Sequence, residues 1–491
     1  MHLETIQAPI TTTIARQSHA LAMASTNCWK CLIRPSSSAS PYALSSAQRV
    51  AAFSTATAVL ARAQANSKQS KVRNMTFKVK GAARSLRIKK KAPVKVGRSP
   101  APGERKAMRK RIVLSNTNAL EVEGLQELSP ETMVDAAMVG KVVTIPGPVI
   151  DRLRVVEAFK NNQSWDLFRS PSILVRDETV TLAKKLLDAA ATKKTGSIIL
   201  SGARATGKSM LLLQAIATAF TKGWLVISIP DAKELATAVT AYTPLPGTTS
   251  LQFSQNVYTS TLLAQIAKAN DALLSAHTVK QTHTLPLPIP PNSTLTRLAE
   301  LGARDPEAAW PIFQALWKEI TAEGYPPILL AADGLNHMMT VSAYRAPDFS
   351  RVHAHDLVLI KHFVDHISGA KSLPNGGAVV AATTTGNIPK TEAMNLAFQQ
   401  IQEKAAGEQV TAPSPWVETD WRVMESLKKV DLMQLKGLTK AEARGLMEYW
   451  AASGMLRQAV DERTVTEKWA LAGNGVVGEI AREALKMHIV A

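Results

Sequence analysis

Unbroken apolar runs recur through the middle of the chain, and stretches of helical periodicity separate them. SIIL (Ser197–Leu200), WLVISI (Trp224–Ile229), ILLAA (Ile328–Ala332) and AVVAA (Ala378–Ala382) are strand-sized and apolar at nearly every position. Such runs predict strands buried on both faces. In DETVTLAKKLLDAAATK (Asp177–Lys193), by contrast, Val180, Leu182, Leu186 and Leu187 fall at helical intervals. The alternation predicts an α/β fold, a parallel sheet with flanking helices. KVVTIPGPVIDRL (Lys141–Leu153) predicts a short strand and a turn ahead of that sheet. The Pro- and Thr-rich piece from His277 to Ser293 predicts an exposed loop inserted in the domain. VTAPSPWVETD (Val410–Asp420) reads as a boundary, after which the pattern turns mainly helical. In LTKAEARGLMEYWAASGML (Leu438–Leu456), Thr439 is the expected N-cap with Glu442 at the capping-box position. Ala443, Leu446, Met447 and Trp450 share one face of that helix. No apolar run is long enough to span a bilayer, and nothing repeats at a fixed period.

Charge changes this picture at one end. Seventeen of the 58 Lys and Arg residues lie between Thr5 and Gly103, where Asp and Glu are absent. The rest of the chain holds 41 basic and 39 acidic residues, so the net charge of +19 belongs largely to a tail. Residues 1–66 are rich in Ser, Ala and Thr, with scattered Arg16, Arg34, Arg49 and Arg62 and with Glu4 as their acid. This is the composition of a mitochondrial presequence, with QRVAAFSTA (Gln48–Ala56) as the expected cleavage neighbourhood. The two cysteines, Cys28 and Cys31, form CWKC within it. No second pair completes a four-ligand metal site, and cleavage would remove both. Residues 67–120 carry basic residues at nearly every second or third position through much of their length. They predict a disordered basic extension suited to phosphate backbones rather than to base reading. The boundaries then run 1–66, 67–120, 121–410 for a nucleotide-binding domain with its lead-in, and 411–491 for a helical C-terminal domain.

The nucleotide expectation comes from SIILSGARATGKSMLLLQAIATAF (residues 197–220), a strand, a glycine-bounded loop and a helix. Gly202, Ala203, Arg204, Ala205, Thr206, Gly207, Lys208 and Ser209 fit G-x-x-x-x-G-K-[ST], and Met210 continues the helix. Backbone N–H groups in such a loop point into a concavity at the positive end of a helix dipole. The glycines permit the turn, Lys208 is placed to reach the β- and γ-phosphates, and the Ser209 hydroxyl is placed to ligate Mg²⁺. Asp333 ends the apolar run ILLAA and is the expected second metal-side residue; its plainer reading is a turn-forming Asp-Gly. Gly334, Leu335 and Asn336 follow it, so no glutamate stands next to Asp333 to orient a water. Asn336 is placed to position a water but is not a base. Slow or absent hydrolysis is therefore expected, with Arg304, Arg345 and Arg351 as candidates for an arginine from elsewhere in the chain. TTTGN (Thr383–Asn387) places Thr384 or Thr385 at the ligand edge of the sheet. No N-K-x-D occurs, so residue chemistry leaves guanine and adenine open.

Taken in order, GERKAMRKRIVLSNTNALEV, GARATGKS, PPILLAADGLN followed by Tyr344 and Arg345, and EYWAASGML with EKWALAGNG resemble the death-associated protein family, in its fungal form. The resemblance covers most of the chain from Gly103 onward. It implies a P-loop NTPase fold allied to the AAA+ and STAND ATPases, with a helical or winged-helix-like C-terminal part. It implies residence in the small subunit of the mitochondrial ribosome, with ribosomal RNA and small-subunit proteins as partners and contacts near the large subunit. It implies GTP or GDP as ligand, ATP remaining open, with Mg at Ser209 and Asp333. The competing expectation is a mitochondrial AAA-type ATPase that acts on nucleic acid through the basic extension.

Overall fold

A computed structural model describes residues 112–246, 251–386, 389, 391–416 and 419–485. All of these belong to one unit, Arg98–Ala491. The presequence expected over 1–66, with Cys28 and Cys31, and the basic extension as far as residue 111 lie outside the described residues.

Five parallel strands form the central sheet: β1 Thr195–Gly202, β2 Leu225–Ile229, β3 Ile328–Asp333, β4 Gly377–Ala382 and β5 Asp431–Leu435, in the order β5-β1-β4-β3-β2. The four apolar runs are four of these strands. Period-2 alternation explains why they are apolar throughout. Ile199, Ile227, Leu330 and Val379 enter one core. Their neighbours Ile198, Val226, Leu329 and Val380 enter another on the opposite face.

Helices cover both faces. On one side lie α1 Gly147–Val155, α2 Asp177–Ala191 and α3 Lys208–Thr221, through Leu153, Leu186 and Leu213 among others. On the other lie α4 Asn256–Ala269, α5 Leu295–Arg304, α6 Ala309–Ile320, α7 Val358–Ile367 and α8 Glu392–Ala406. Because the strands are parallel and in register, their C-terminal ends form one edge. Leu200, Ala382 and Asp333 stand level across β1, β4 and β3.

The fifth strand comes from the segment expected to be a separate helical domain. DLMQL is an edge strand that pairs only with β1, and Asp431 and Gln434 are exposed. It therefore lacks the continuous apolar signal of the other four. After Leu435 the described elements are the helices α9 Lys440–Ala452, α10 Glu462–Leu471 and α11 Val477–Leu485. They share a third core with the lead-in: Met447, Trp450 and Ile480 pack with Val142, Phe168 and Leu174. Val142 and Leu174 belong to a small sheet of Gln126–Glu127, Val142–Thr144 and Ser172–Leu174. The capping box of α9 forms as expected. Thr439 Oγ1 accepts from the Glu442 N–H at 3.2 Å, and Glu442 Oε2 accepts from the Thr439 N–H at 2.8 Å.

The Pro-rich piece after His277 is a loop, but it is pinned rather than free. Glu319 of α6 is fully buried and accepts from the Gln281 N–H at 2.7 Å and the Lys280 N–H at 3.2 Å. His283 Nε2 lies 2.9 Å from the same carboxylate. A carboxylate on the core helix thus fixes the loop's entry.

Candidate functional site

The glycine-bounded loop is built where β1 leaves the sheet. A Cβ on Gly202 would lie 2.7 Å from the Leu435 carbonyl oxygen, so the close approach of β5 requires glycine there. Gly207 has φ +97° and opens α3. Between them Ala205 holds a left-handed φ of +62°. The loop is braced from three directions. Thr206 Oγ1 donates to the Ala203 carbonyl at 3.0 Å. Arg176 Nη1 donates to the Thr206 carbonyl at 2.8 Å, while its Nη2 donates to the Lys436 carbonyl at 2.9 Å. The Gly478 N–H, at the start of α11, donates to the Ala205 carbonyl at 3.0 Å.

Lys208 is buried and curls over the loop, its Nζ donating to the carbonyls of Gly202 at 2.9 Å and Ala203 at 2.6 Å. Burial lowers its pKa, and the charge of Asp333 opposes that shift. Asp333 stands at the end of β3, hydrogen-bonded to Ser209. Burial raises its pKa; Lys160, 3.8 Å from Oδ2, and the Ser209 bond pull it back down. A hydroxyl and a carboxylate side by side are hard oxygen donors of the kind Mg²⁺ takes, so Ser209 and Asp333 fit that ion. No cluster of three His, Cys, Asp or Glu suited to a metal occurs among the described residues.

These groups face a cavity of about 640 Å³ at the C-terminal edge of the sheet. That size lies within the range of small-molecule sites. Of the motif residues, Arg204, Ala205, Gly207, Lys208, Ser209 and Met210 line it; Gly202, Ala203 and Thr206 shape the loop behind. Asp333 and Thr383–Thr385 line the facing side, Thr384 with them. Asn336 is not free to position a water: it is buried, and its Oδ1 accepts from the Thr384 N–H at 2.8 Å. None of Arg304, Arg345 or Arg351 reaches the cavity. Arg304 pairs with Glu300 at 3.7 Å, and Arg345 and Arg351 face each other across an outlying hairpin.

Among the wall residues that sequence reasoning missed are the polar Lys160, Gln163 and Arg176 and an apolar end formed by Phe168, Leu174, Leu446, Tyr449 and Trp450. They come from the lead-in and from α9, far along the chain from the motif. No local pattern marks them.

A strand, a glycine loop closing on a buried lysine, and a carboxylate ending a parallel strand two places across the sheet define an open α/β protein, a parallel sheet with flanking helices. The family model described as "Mitochondrial ribosomal death-associated protein 3" matches residues 173–483, and the chain belongs to that mitochondrial ribosomal family. It is 46% identical over 471 residues to the small ribosomal subunit protein mS29 of Neurospora crassa, covering 94% of this chain and 99% of that one. It is 23% identical over 352 residues to the protein of the same name from Schizosaccharomyces pombe, covering 70% and 71%. Among solved structures, AMPPCP-bound DnaA from Aquifex aeolicus matches at a TM-score of 0.25 and 11% identity, over 63% of this chain and 64% of that one. An overlap so slight adds nothing to the fold described above. No helix among the described residues is long and apolar enough to cross a membrane.

Proposed function

We propose that the chain is a structural component of the small subunit of the mitochondrial ribosome. In this reading its P-loop holds a purine nucleotide, GTP or GDP in preference to ATP, with Mg²⁺ at Ser209 and Asp333, and turns it over slowly or not at all. The ribosomal part rests on family membership and on near full-length similarity to the Neurospora protein. In this reading the chain resides on the mitochondrial ribosome in the matrix, with ribosomal RNA and small-subunit proteins as partners, and the basic composition of 67–120 suits the RNA. The strand order sets β4, with its terminal threonines, between the P-loop strand and the Asp333 strand, which supports kinship with the AAA+ and STAND ATPases.

The observation that carries the nucleotide part is the convergence of Lys208, Ser209 and Asp333 on one cavity. The loop N–H groups and Lys208 bind and orient phosphate oxygens there. Bound metal would supply charge neutralisation. Slow turnover follows from the wall's acids: the two that line the cavity are Asp231 and Asp333. Asp231 is engaged as a helix cap, accepting from the Lys233 N–H at 2.9 Å. A motor that acts on nucleic acid would need a further water-activating group.

The test is a pair of melting curves, with and without GTP and Mg²⁺, beside Lys208→Ala. A ligand at a hundred times its Kd adds about 2.7 kcal/mol to the native state. A rise in wild type that Lys208→Ala abolishes supports the reading; no rise with any purine nucleotide counts against it. Co-sedimentation with the small subunit tests the ribosomal part.

A further inference from the structure

The loop that follows α1 enters the site from the β2 side of the sheet edge, whereas the P-loop enters from β1. Its backbone is held firmly. The Lys160 N–H donates to Gln163 Oε1 at 2.7 Å, and the same oxygen accepts from Trp165 Nε1 at 2.7 Å. Phe159 packs edge-on against Trp165, ring centres 5.1 Å apart. The Lys160 side chain is thereby aimed at the ligand edge. Its Nζ donates to the Pro230 carbonyl and lies 3.8 Å from Asp333 Oδ2. Gln163 Nε2 is buried without a hydrogen-bond partner, and both residues line the cavity. A buried donor without an acceptor is costly unless a ligand supplies one.

Lys160 and Gln163 thus share the cavity wall with Lys208, and the Lys160 ammonium reaches the Asp333 carboxylate across it. A P-loop site ordinarily relies on a divalent ion to neutralise the terminal phosphates beside the strand-end carboxylate. Here an ammonium group already reaches that carboxylate. We infer that Lys160 and Gln163 form a second phosphate-holding element, and that the Lys160 charge makes nucleotide binding largely independent of a divalent cation. The inference rests on the nucleotide reading given above. Mg²⁺ at Ser209 and Asp333 then adds to binding without being required for it. The ligand class is a nucleoside di- or triphosphate, whose terminal phosphate is gripped from two sides, by Lys208 and by Lys160.

The experiment is equilibrium binding of GDP, GTP, ADP and ATP to the full chain, in Mg²⁺ and in EDTA. Wild type is compared with Lys160→Met, Lys160→Arg, Gln163→Leu and Lys208→Ala. Wild-type affinity is expected to fall by no more than about threefold in EDTA. Lys160→Met should bind about ten- to hundredfold more weakly in EDTA, the worth of a charge-assisted hydrogen bond, and recover much of that loss in Mg²⁺. Lys160→Arg should keep binding in EDTA, and Gln163→Leu should weaken it in both conditions. A circular dichroism spectrum and melting temperature like the wild type's separate a local effect of Lys160→Met from misfolding. If wild type binds only with Mg²⁺, or Lys160→Met matches wild type while Lys208→Ala loses the ligand, the inference is wrong and the P-loop reading stands. Wild type that binds no nucleotide in either condition overturns both.

Discussion

Single residues in this protein carry costs that pH exposes. His355 and His362, both half-buried, are held neutral, each pushed down to about 3, first by burial and then by the neighbouring His353 and His366 respectively. His362 stands edge-on to Trp317, ring centres 4.4 Å apart, and its Nε2 has no hydrogen-bond partner. Both folded values lie below the ordinary histidine value, so the unfolded chain takes up protons that the native one refuses. Stability is therefore complete above pH 6.5 and is lost as pH falls from there toward about 3. At pH 5 each histidine should cost about 2 kcal/mol. Melting at pH 7.5 and pH 5 reads the effect, and His362→Leu should narrow the gap by one histidine's share. An unchanged gap would mean that His362 is protonated in the native state. Gly202→Ala belongs to the same scale. Its methyl group would press on the Leu435 carbonyl at 2.7 Å, so the edge strand or the loop must shift. The expected outcome is lost nucleotide binding and a melting temperature several degrees lower, about 1–3 kcal/mol for an overpacked site.

At the scale of elements, what the sequence made legible tracks how locally each element is specified. Four strands announced themselves because both of their faces are buried. The fifth did not, because an edge strand with Asp431 and Gln434 in solvent breaks the apolar run. The α9 cap was legible because Thr439 and Glu442 stand three residues apart. The glycine-bounded loop between β1 and α3 was legible because its motif is contiguous, whereas Lys160, Gln163 and Arg176 reach the cavity only through tertiary packing. The Pro-rich loop shows the same limit: its composition marks a loop, but nothing local reveals that Glu319, some forty residues on, holds it by two backbone N–H groups and His283. Glu319→Ala removes the acceptor of two part-buried backbone donors, at about 1 kcal/mol for each. The variant should melt lower than wild type and be cut faster by protease between residues 277 and 293. Unchanged protease sensitivity would show that the loop's apolar contacts suffice to hold it.

At the scale of the whole molecule, the glycine-bounded loop of residues 202–209 is a joint between segments distant in sequence. Arg176, ahead of α2, holds the Thr206 and Lys436 carbonyls together. Glu442 of α9 accepts from the Asp177 N–H at 3.1 Å, fastening the C-terminal helices to the start of α2. The first turn of α11 rests on the left-handed Ala205, with the Gly478 N–H as donor and no room for a side chain, since a Cβ on Gly478 would sit 2.7 Å from that of Ala205. A ligand that orders residues 203–208 should therefore also order α11, although α11 supplies none of the phosphate motif. Hydrogen exchange measures this directly. If α11 can open only when the loop has released its ligand, nucleotide at a hundred times its Kd slows exchange in the first turn of α11 about a hundredfold. The loop held by Glu319 packs on the opposite face of the sheet and should exchange at its former rate, and Lys208→Ala should erase the protection of α11. Slowed exchange in the P-loop with α11 unchanged would mean that the Gly478–Ala205 contact carries no coupling, and that the C-terminal helices do not sense the nucleotide.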